Sequence, residues 1–232
     1  MKHIVFSLLI LLALPFTATA EKYWSDTSLT YLNGGDYEVG DPDRQVITLE
    51  YVGGYSWGKI FAFGDRLESD NGDTETYIEV SPEVYFVEFE DNLVNNLSFT
   101  TTAEIGDGFT HYLYGIGAAF DLPGFQFFEV DAYRRNNDGF DNNYQVTLSW
   151  GVPFSVGETQ WMYDGFLDYA SGISGVGPAN MNFTSQLKWN LAPYFDLSAP
   201  FYVGVEYVYW RNKFYIDGVN EKNPNLLIKW HF

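Results

Sequence analysis

Apolar and polar residues alternate along the end of the chain, from Pro224 to Phe232. Side chains of a β-strand point to opposite faces in turn, so one face of this segment is apolar: Leu226, Ile228, Trp230, Phe232. The other face is polar apart from Leu227. Chain ends of soluble domains are usually frayed and polar. The pattern therefore favours a strand that meets lipid, although a soluble β-sandwich could end in the same way.

The same alternation recurs along the chain in segments of about ten residues, each bounded by turn residues. The fourth segment is the clearest, with one face formed by Thr76, Ile78, Val80, Pro82, Val84 and Phe86. Its other face carries Glu75, Tyr77, Glu79, Ser81, Glu83 and Tyr85. Because proline lacks the N–H that a sheet ladder needs, we expect a bulge or local break at Pro82.

The pattern predicts twelve strands, and an even number is typical of bacterial outer-membrane barrels. Connections after odd strands tend to be acidic and long, whereas several after even strands are tight corners, such as Gly53-Gly54. A link over residues 192–200 is the exception. The prediction is an all-β protein: a transmembrane antiparallel β-barrel of about twelve strands in an up-and-down meander. Long outer loops and short periplasmic turns would leave both termini in the periplasm.

The first twenty residues have the features of a secretory signal peptide. A basic start at Lys2 precedes an apolar run over residues 4–16 and an Ala18-Thr19-Ala20 ending. A membrane anchor is the alternative, but the run is shorter than the roughly 20 residues that span a bilayer. We predict a signal peptide over residues 1–20 and one barrel domain over residues 21–232.

The net charge narrows the possible functions. A formal charge of −19 argues against nucleic-acid polymers, whose phosphates need a basic face, and against a simple anion pore. The absence of cysteine excludes disulfides, thiol catalysis and thiolate metal sites. Acidic loop residues such as Asp41 and Asp70 could hold Ca²⁺, but such loops are usually only solvated. No metal or cofactor is expected.

Several dispersed motifs carry a resemblance to a known family. They are Trp24-Ser-Asp, Leu49-Glu-Tyr51, Phe61-Ala-Phe63-Gly-Asp65, Glu79-Val-Ser-Pro82 and Tyr209-Trp210. In their order and spacing, the chain resembles the nucleoside-specific channel-forming (Tsx-like) outer-membrane proteins. This resemblance implies a monomeric twelve-stranded barrel with a narrow lumen. The final strand also resembles the last strand of outer-membrane barrels, which implies that the barrel-assembly machinery reads Phe232. None of the family's nucleoside-contacting residues is matched.

With the apolar faces turned towards lipid, the opposite faces would line the lumen. Twelve strands enclose a bore that suits one small solute. Aromatic rings could stack on a flat base, and carboxylates could bond hydroxyls and base edges. The candidate solute-binding residues are Phe61, Phe63, Asp65, Glu75, Tyr77, Glu79, Glu83, Tyr85, Glu129, Asp131, Tyr133 and Arg135. An acidic lumen favours neutral or cationic solutes such as nucleosides over anions.

Other interpretations remain open at this point. The basic residues Lys59, Arg135, Lys188 and Lys229 could simply pair with nearby acids, and the phenylalanines of the third and seventh strands could face lipid. An outer-membrane hydrolase would need a serine near a histidine, but His111 and His231 have no serine placed with them by the sequence. No catalytic residue is therefore assigned. A non-conducting barrel that acts as an adhesin, adaptor or phage receptor is the main alternative to a channel.

Overall fold

A computed structural model describes residues 20–232 of the chain. The predicted signal peptide lies outside the described residues except for Ala20, so its cleavage stays a prediction. The strands are β1 (Lys22–Gly34), β2 (Arg44–Tyr55), β3 (Gly58–Ser69), β4 (Thr74–Glu88), β5 (Val94–Gly106), β6 (Phe109–Phe120), β7 (Phe127–Asn136), β8 (Asn143–Val156), β9 (Thr159–Ala170), β10 (Asn180–Asn190), β11 (Phe201–Arg211) and β12 (Asn220–His231). Short 3₁₀ turns cover Ala192–Tyr194 and Lys213–Tyr215. In the described part of the chain, no helix is long and apolar enough to cross a membrane.

The strands form one closed antiparallel barrel. Each strand pairs with its neighbours in sequence, and β1 pairs with β12 to close the sheet, with Ser28 opposite His231. Closure leaves no sheet edge, so the backbone donors and acceptors of the wall can bond within the sheet, as the interior of a bilayer requires. The prediction of a twelve-stranded up-and-down barrel is confirmed.

The two faces of the wall differ as the alternation predicts. Outward residues such as Leu49, Ile116 and Leu226 are 54–60 % exposed in the isolated chain. Inward residues such as Ser28 and Asn223 are fully buried. Apolar side chains therefore cover the outside of the barrel, where lipid would contact them, and polar side chains fill the inside.

Two predicted strand limits were wrong. Gly53 and Gly54 lie within β2, which continues to Tyr55, and the corner falls at residues 56–57. A Cβ on Gly54 would collide with the Trp24 ring, so the missing side chain makes room for an aromatic ring. β12 begins at Asn220, four residues earlier than predicted, because Asn220 pairs with Arg211 at the end of β11.

The break expected at Pro82 is present without a bulge. Pairing of β4 with β5 is interrupted at residues 81–82, but the register is the same on both sides. The Thr101 hydroxyl donates to the Pro82 carbonyl at 3.3 Å. The bulge lies farther along, between Tyr85 and Val87.

The barrel has two distinct ends. The loop end carries the connections after odd strands, including residues 35–43, 171–179 and 212–219. The turn end carries both described termini and the connections after even strands, such as residues 56–57. The predicted difference in length between loop-end and turn-end connections holds only as a tendency. At the loop end the connection over residues 107–108 is tight, and at the turn end the connection over residues 191–200 is long.

An apolar cluster inside the barrel explains why Leu227 breaks the polar pattern of the last strand. Leu227 is fully buried against Leu32 and Val46, and Tyr37 and Leu67 pack on this cluster. These residues come from β12, β1, β2, β3 and the first loop. One side of the lumen is therefore filled by packed side chains.

Candidate functional site: the barrel lumen

The predicted solute-binding residues all occupy inward positions of the wall. Residues paired across neighbouring strands lie on the same face, and the register places Phe63 opposite Glu79 and Glu50, and Asp65 opposite Tyr77 and Thr48. The same pairing turns Glu129, Asp131, Tyr133 and Arg135 inward on β7. The open question about β3 and β7 is thus answered: Phe61, Phe63 and Phe127 share the inward face, whereas Phe128, opposite Trp150, faces outward.

At the turn end, an ion pair crosses the lumen. Lys59 Nζ lies 2.5 Å from Glu129 Oε2 and 3.0 Å from Glu83 Oε1. Three strands separate β3 from β7 in the sheet, so the contact spans the interior rather than following the wall. All three side chains are at most 20 % exposed. The lysine therefore ties two distant parts of the wall together.

A second group of ion pairs lies at the turn end on the other side of the lumen. Lys188 Nζ is 2.6 Å from Asp164 Oδ2, and Lys229 Nζ is 2.7 Å from Glu50 Oε1. The contact of Lys229 with Glu50 passes across β1, which separates β12 from β2. Both lysines are buried.

Towards the loop end, Arg135 makes a two-pronged contact with Glu104 on β5. Arg135 Nη2 lies 2.5 Å from Glu104 Oε2, Nη1 lies 2.8 Å from Glu104 Oε1, and Nη1 also donates to Gln145. Near this pair, the hydroxyls of Tyr133 and Thr100 are 2.8 Å apart. The hypothesis that Lys59, Arg135, Lys188 and Lys229 pair with nearby acids is confirmed.

Between and beside these ion pairs, a belt of five inward carboxylates has no cationic partner within 4.0 Å among residues 20–232. Two of them lie next to the Arg135–Glu104 pair, since Glu79 is opposite Glu104 and Asp168 shares Gln145 with Arg135. On β7, Asp131 lies between Glu129 and Arg135, and on β4, Glu79 lies between Glu83 and Glu75. Within residues 20–232, no lysine, arginine or histidine nitrogen comes within 4.0 Å of the Glu79 or Asp131 carboxylate. The same holds for one inward carboxylate on each of β3, β9 and β11. We call this set the waist: Asp65, Glu79, Asp131, Asp168, Glu206.

Hydrogen bonds hold four of the waist carboxylates in place. Asp65 accepts from the Thr48 hydroxyl at 2.6 Å, and Asp168 accepts from the Thr147 hydroxyl at 2.6 Å. The Tyr77 hydroxyl donates to Glu79 at 2.6 Å. Glu206 accepts from the Gln186 amide at 2.8 Å. Neutral donors orient these four carboxylates, and none of them has an ion-pair partner within 4.0 Å among residues 20–232.

Aromatic rings run along the inner wall beside the waist. The ring centroids of Phe61 and Phe63 are 5.8 Å apart, and those of Phe63 and Tyr77 are 5.9 Å apart. These separations fall within the range of interacting aromatic pairs. We call Phe61, Phe63 and Tyr77 the aromatic track. The rings could stack on a flat solute that passes the waist.

The first and last loops fold inward over the loop end. The backbone N–H of Glu38 donates to Glu221 Oε2 at 3.0 Å, and Lys213 Nζ lies 2.5 Å from the same oxygen. The Asn143 amide donates to the Tyr215 hydroxyl at 3.0 Å, which ties the last loop to β8. We call residues 36–38 and 213–215 the cap.

Burial perturbs two titratable groups of the cap. It raises the pKa of the Tyr37 hydroxyl well above its usual value, and the nearby charges of Glu206 and Glu221 act in the same direction. Burial also lowers the pKa of Lys213, and the attraction of Glu221 opposes this shift only in part. The Tyr37 hydroxyl therefore stays neutral through the physiological range.

The two histidines in the described part of the chain have structural contacts. His111 Nδ1 accepts a hydrogen bond from the backbone N–H of Asp138 at 2.9 Å. His231 Nδ1 lies 2.7 Å from Asp26 Oδ2 at the turn end. Each contact ties its histidine to a neighbouring segment, β6 to the loop after β7 and β12 to β1.

Several luminal residues are absent from the set of solute-binding residues predicted from the sequence. Glu206 follows from the alternation of β11, where it faces inward between Gly204 and Val208 while Val205 and Tyr207 face outward. Glu104 likewise follows from β5. The role of Lys213 could not be found in this way, because it lies in an irregular loop and only folding brings it against Glu221.

Two clefts open at the turn end on different sides of the barrel. One, of about 290 Å³, is lined by Gln160, Trp161, Asn190 and Tyr202 among others. The other, of about 250 Å³, includes Tyr85, Asn96 and Glu129 in its lining. Tyr85 and Glu129, two of the predicted solute-binding residues, thus lie at the turn-end mouth.

No protein-family model matches the chain, and no curated protein sequence matches it. Among solved structures, a KdgM porin superimposes with a TM-score of 0.53 at 10 % identity, covering 90 % of this chain and 99 % of the porin. A KdgM porin in complex with disordered oligogalacturonate gives a TM-score of 0.49 at 11 % identity, with 88 % and 99 % coverage. OccK11 (OpdR) of Pseudomonas aeruginosa gives 0.41 at 10 % identity, with 90 % and 66 % coverage.

The likeness to the first KdgM porin shows that this chain has the fold of an outer-membrane porin. At this level of identity, the likeness concerns the fold and not the solute. Membership of the nucleoside-channel family is not confirmed by these comparisons.

Proposed function

We propose that this protein is a passive channel of the Gram-negative outer membrane for small polar solutes that are neutral or cationic, with nucleosides as the best candidates. The observation that carries the proposal is the waist of unpaired carboxylates beside the aromatic track. No catalytic step or cofactor is involved, and solutes move down their gradients.

The electrostatics of the waist support this selectivity. Charges in a narrow lumen with low-dielectric walls are screened less than charges in bulk water. A belt of carboxylates such as Glu79 and Asp131 therefore repels anions, including nucleotides and acidic sugars. A neutral nucleoside avoids this penalty, offers hydroxyl donors to the carboxylates, and presents a flat base to Phe61 and Phe63.

The setting in the membrane forms part of the same proposal. The outward apolar faces contact outer-membrane lipid. Short turns of such barrels face the periplasm, and both termini lie at the turn end, so both termini are periplasmic. Phe232 is 61 % exposed at the turn end, and its N–H donates to the Thr27 carbonyl at 2.9 Å. This position leaves its ring accessible to the barrel-assembly machinery. The channel acts as a monomer, in keeping with the Tsx-like resemblance.

Single-channel recording tests the proposal. Refolded protein in a planar bilayer is titrated with adenosine, with sucrose as a neutral control and adenosine monophosphate as an anionic one. We expect small cation-selective steps that adenosine blocks saturably and that the two controls do not. Current steps that adenosine does not block would rule out the nucleoside hypothesis. If folded barrels gave no current steps, the channel hypothesis would be ruled out.

A non-conducting surface barrel is the second candidate, and the cap favours it. Glu38, Glu221 and Lys213 join two loops across the loop end, and the cluster around Leu227 fills one side of the lumen. In such a protein the loops would bind an adhesion partner or a phage. The same recordings separate the two, since a permanently capped barrel gives no steps at any solute concentration.

A further inference from the structure

The ammonium group of Lys213 sits in a cage of three aromatic rings at the loop-end mouth. Lys213 Nζ lies 4.9 Å from the centroid of the Trp210 ring, 5.2 Å from that of Phe214 and 5.5 Å from that of Tyr37. A cation within about 6 Å of a ring centroid is attracted by the negative face of the ring. Glu221 completes the cage with a carboxylate contact of 2.5 Å.

This cage is more elaborate than an ordinary ion pair requires. Lys213 is 5 % exposed and Glu221 is 1 % exposed, so both charges have been removed from water. Aromatic cages with a nearby carboxylate are the arrangement by which proteins recognise ammonium ligands. Here the three rings come from the first loop, β11 and the last loop, and the carboxylate comes from β12.

Two hydrogen-bond donors near the cage have no partner in the described part of the chain. They are Trp210 Nε1 and the side-chain amide nitrogen of Asn223, a residue that is fully buried. Asn223 lies one inward position along β12 from Glu221. Buried donors are normally satisfied, and each one left over is a place where an acceptor atom can bind. A solute that carries an oxygen near its ammonium group would supply that acceptor.

The segment that delivers Lys213 is held in an uncommon backbone conformation. Asn212, Phe214 and Tyr215 all have positive φ values, of 48°, 55° and 63°. Residues other than glycine adopt this conformation at an energetic cost. The loop therefore holds its lysine inward at a backbone cost, and an opening of the loop would release that cost.

We propose that Tyr37, Trp210, Phe214 and Glu221 form a binding site for small organic ammonium compounds at the loop-end mouth, closed in this structure by the chain's own Lys213. The lysine acts as a tethered competitor, and a solute occupies the site when the loop moves the lysine out. The proposal concerns binding at the mouth, so it does not depend on conduction through the waist.

Calorimetric titration of the detergent-solubilised barrel with choline and with tetramethylammonium tests this site. Lys213→Ala removes the competitor, whereas Lys222→Ala, on the exposed side of β12, removes the same charge without touching the cage. A tethered group competes at an effective concentration in the millimolar range or above, so Lys213→Ala should bind choline at least about tenfold more tightly than the unmodified protein. The Lys222→Ala protein should behave as unmodified, and Lys213→Arg should keep the site closed.

A second variant tests whether choline binds in the cage. Trp210→Leu in the Lys213→Ala background should abolish the gain, and retained strand circular dichroism and a heat-sensitive shift on gels verify that each barrel is folded. A folded Lys213→Ala barrel that binds choline no better than the unmodified protein would overturn the proposal. Choline binding by a barrel that shows no conductance would keep this site and reject the channel, and the reverse result would reject the site alone.

Discussion

The waist and the two ends of the lumen use the same residue types in opposite ways. At the ends, carboxylates such as Glu129 and Glu104 contact a lysine or arginine at 2.5 Å. At the waist, Glu79 and Asp131 have no cationic partner among the described residues. Paired charges tie strands together, whereas the unpaired carboxylates are free to contact a solute in the lumen. Under the proposed function, the paired residues hold the barrel and the unpaired ones select the solute.

The largest expected effect is on stability at the turn end. Lys59→Met leaves Glu83 and Glu129 facing each other without a cation, and removing one partner of a buried pair typically costs about 3–5 kcal/mol. Urea unfolding followed by tryptophan fluorescence should show this loss relative to the exposed control Lys222→Met. Equal stability of the two variants would mean that the contact across the lumen does not hold the wall.

The waist should respond in the opposite way. The double variant Glu79→Gln, Asp131→Asn removes unpaired charge, so its stability should stay equal or rise while the preference for K⁺ over Cl⁻ falls several-fold. Reversal potentials in a salt gradient measure this preference. The control Glu158→Gln removes an exposed carboxylate from the β8–β9 turn. If that control lowers the preference as much as the double variant does, the waist is not the selective region.

The aromatic track should affect one class of solute without changing ion selectivity. Phe63→Leu removes a ring whose stacking with a base stabilises binding by about 1–3 kcal/mol, which corresponds to at least about fivefold weaker block by adenosine. Phe99→Leu, which removes a ring from the outward face, serves as the control. Unchanged block in Phe63→Leu would show that nucleosides do not contact this track.

The smallest effect concerns pH at the cap. The pKa of Lys213 is lowered by burial, while Glu221 and Glu75 raise it and Arg44 lowers it further. The pKa of this lysine is lower when the loop is closed than when the loop is open and solvated. Loss of the proton at high pH therefore favours the closed loop. Raising the pH from about 7 to about 10 should therefore leave conductance constant or reduce it. An increase that Lys213→Met abolishes would show that the ion pair alone keeps the loop closed.

The sequence by itself determined the barrel, because alternation is a property of each strand alone. Twelve alternating segments were enough to predict the closed meander and to orient the lipid-facing residues of β4 and β12. The same rule placed Phe61, Asp131 and Arg135 on inward faces once the register was known. The alternation pattern fails for residues whose identity is set by packing. It gave a wrong corner at Gly54 and no explanation for Leu227.

Only the tertiary structure decided which charges are paired. Lys59 and Glu129 are seventy positions apart in the sequence and lie on strands that are not paired in the sheet, so only barrel closure brings them together. The lysine could as well have met Asp131, which is two residues away on the same face. The cap depends on irregular backbone at Asn212 and Phe214, which has no periodic pattern to read. Periodicity fixes the face of a side chain, whereas its partner across the lumen depends on strand register, side-chain length and loop conformation.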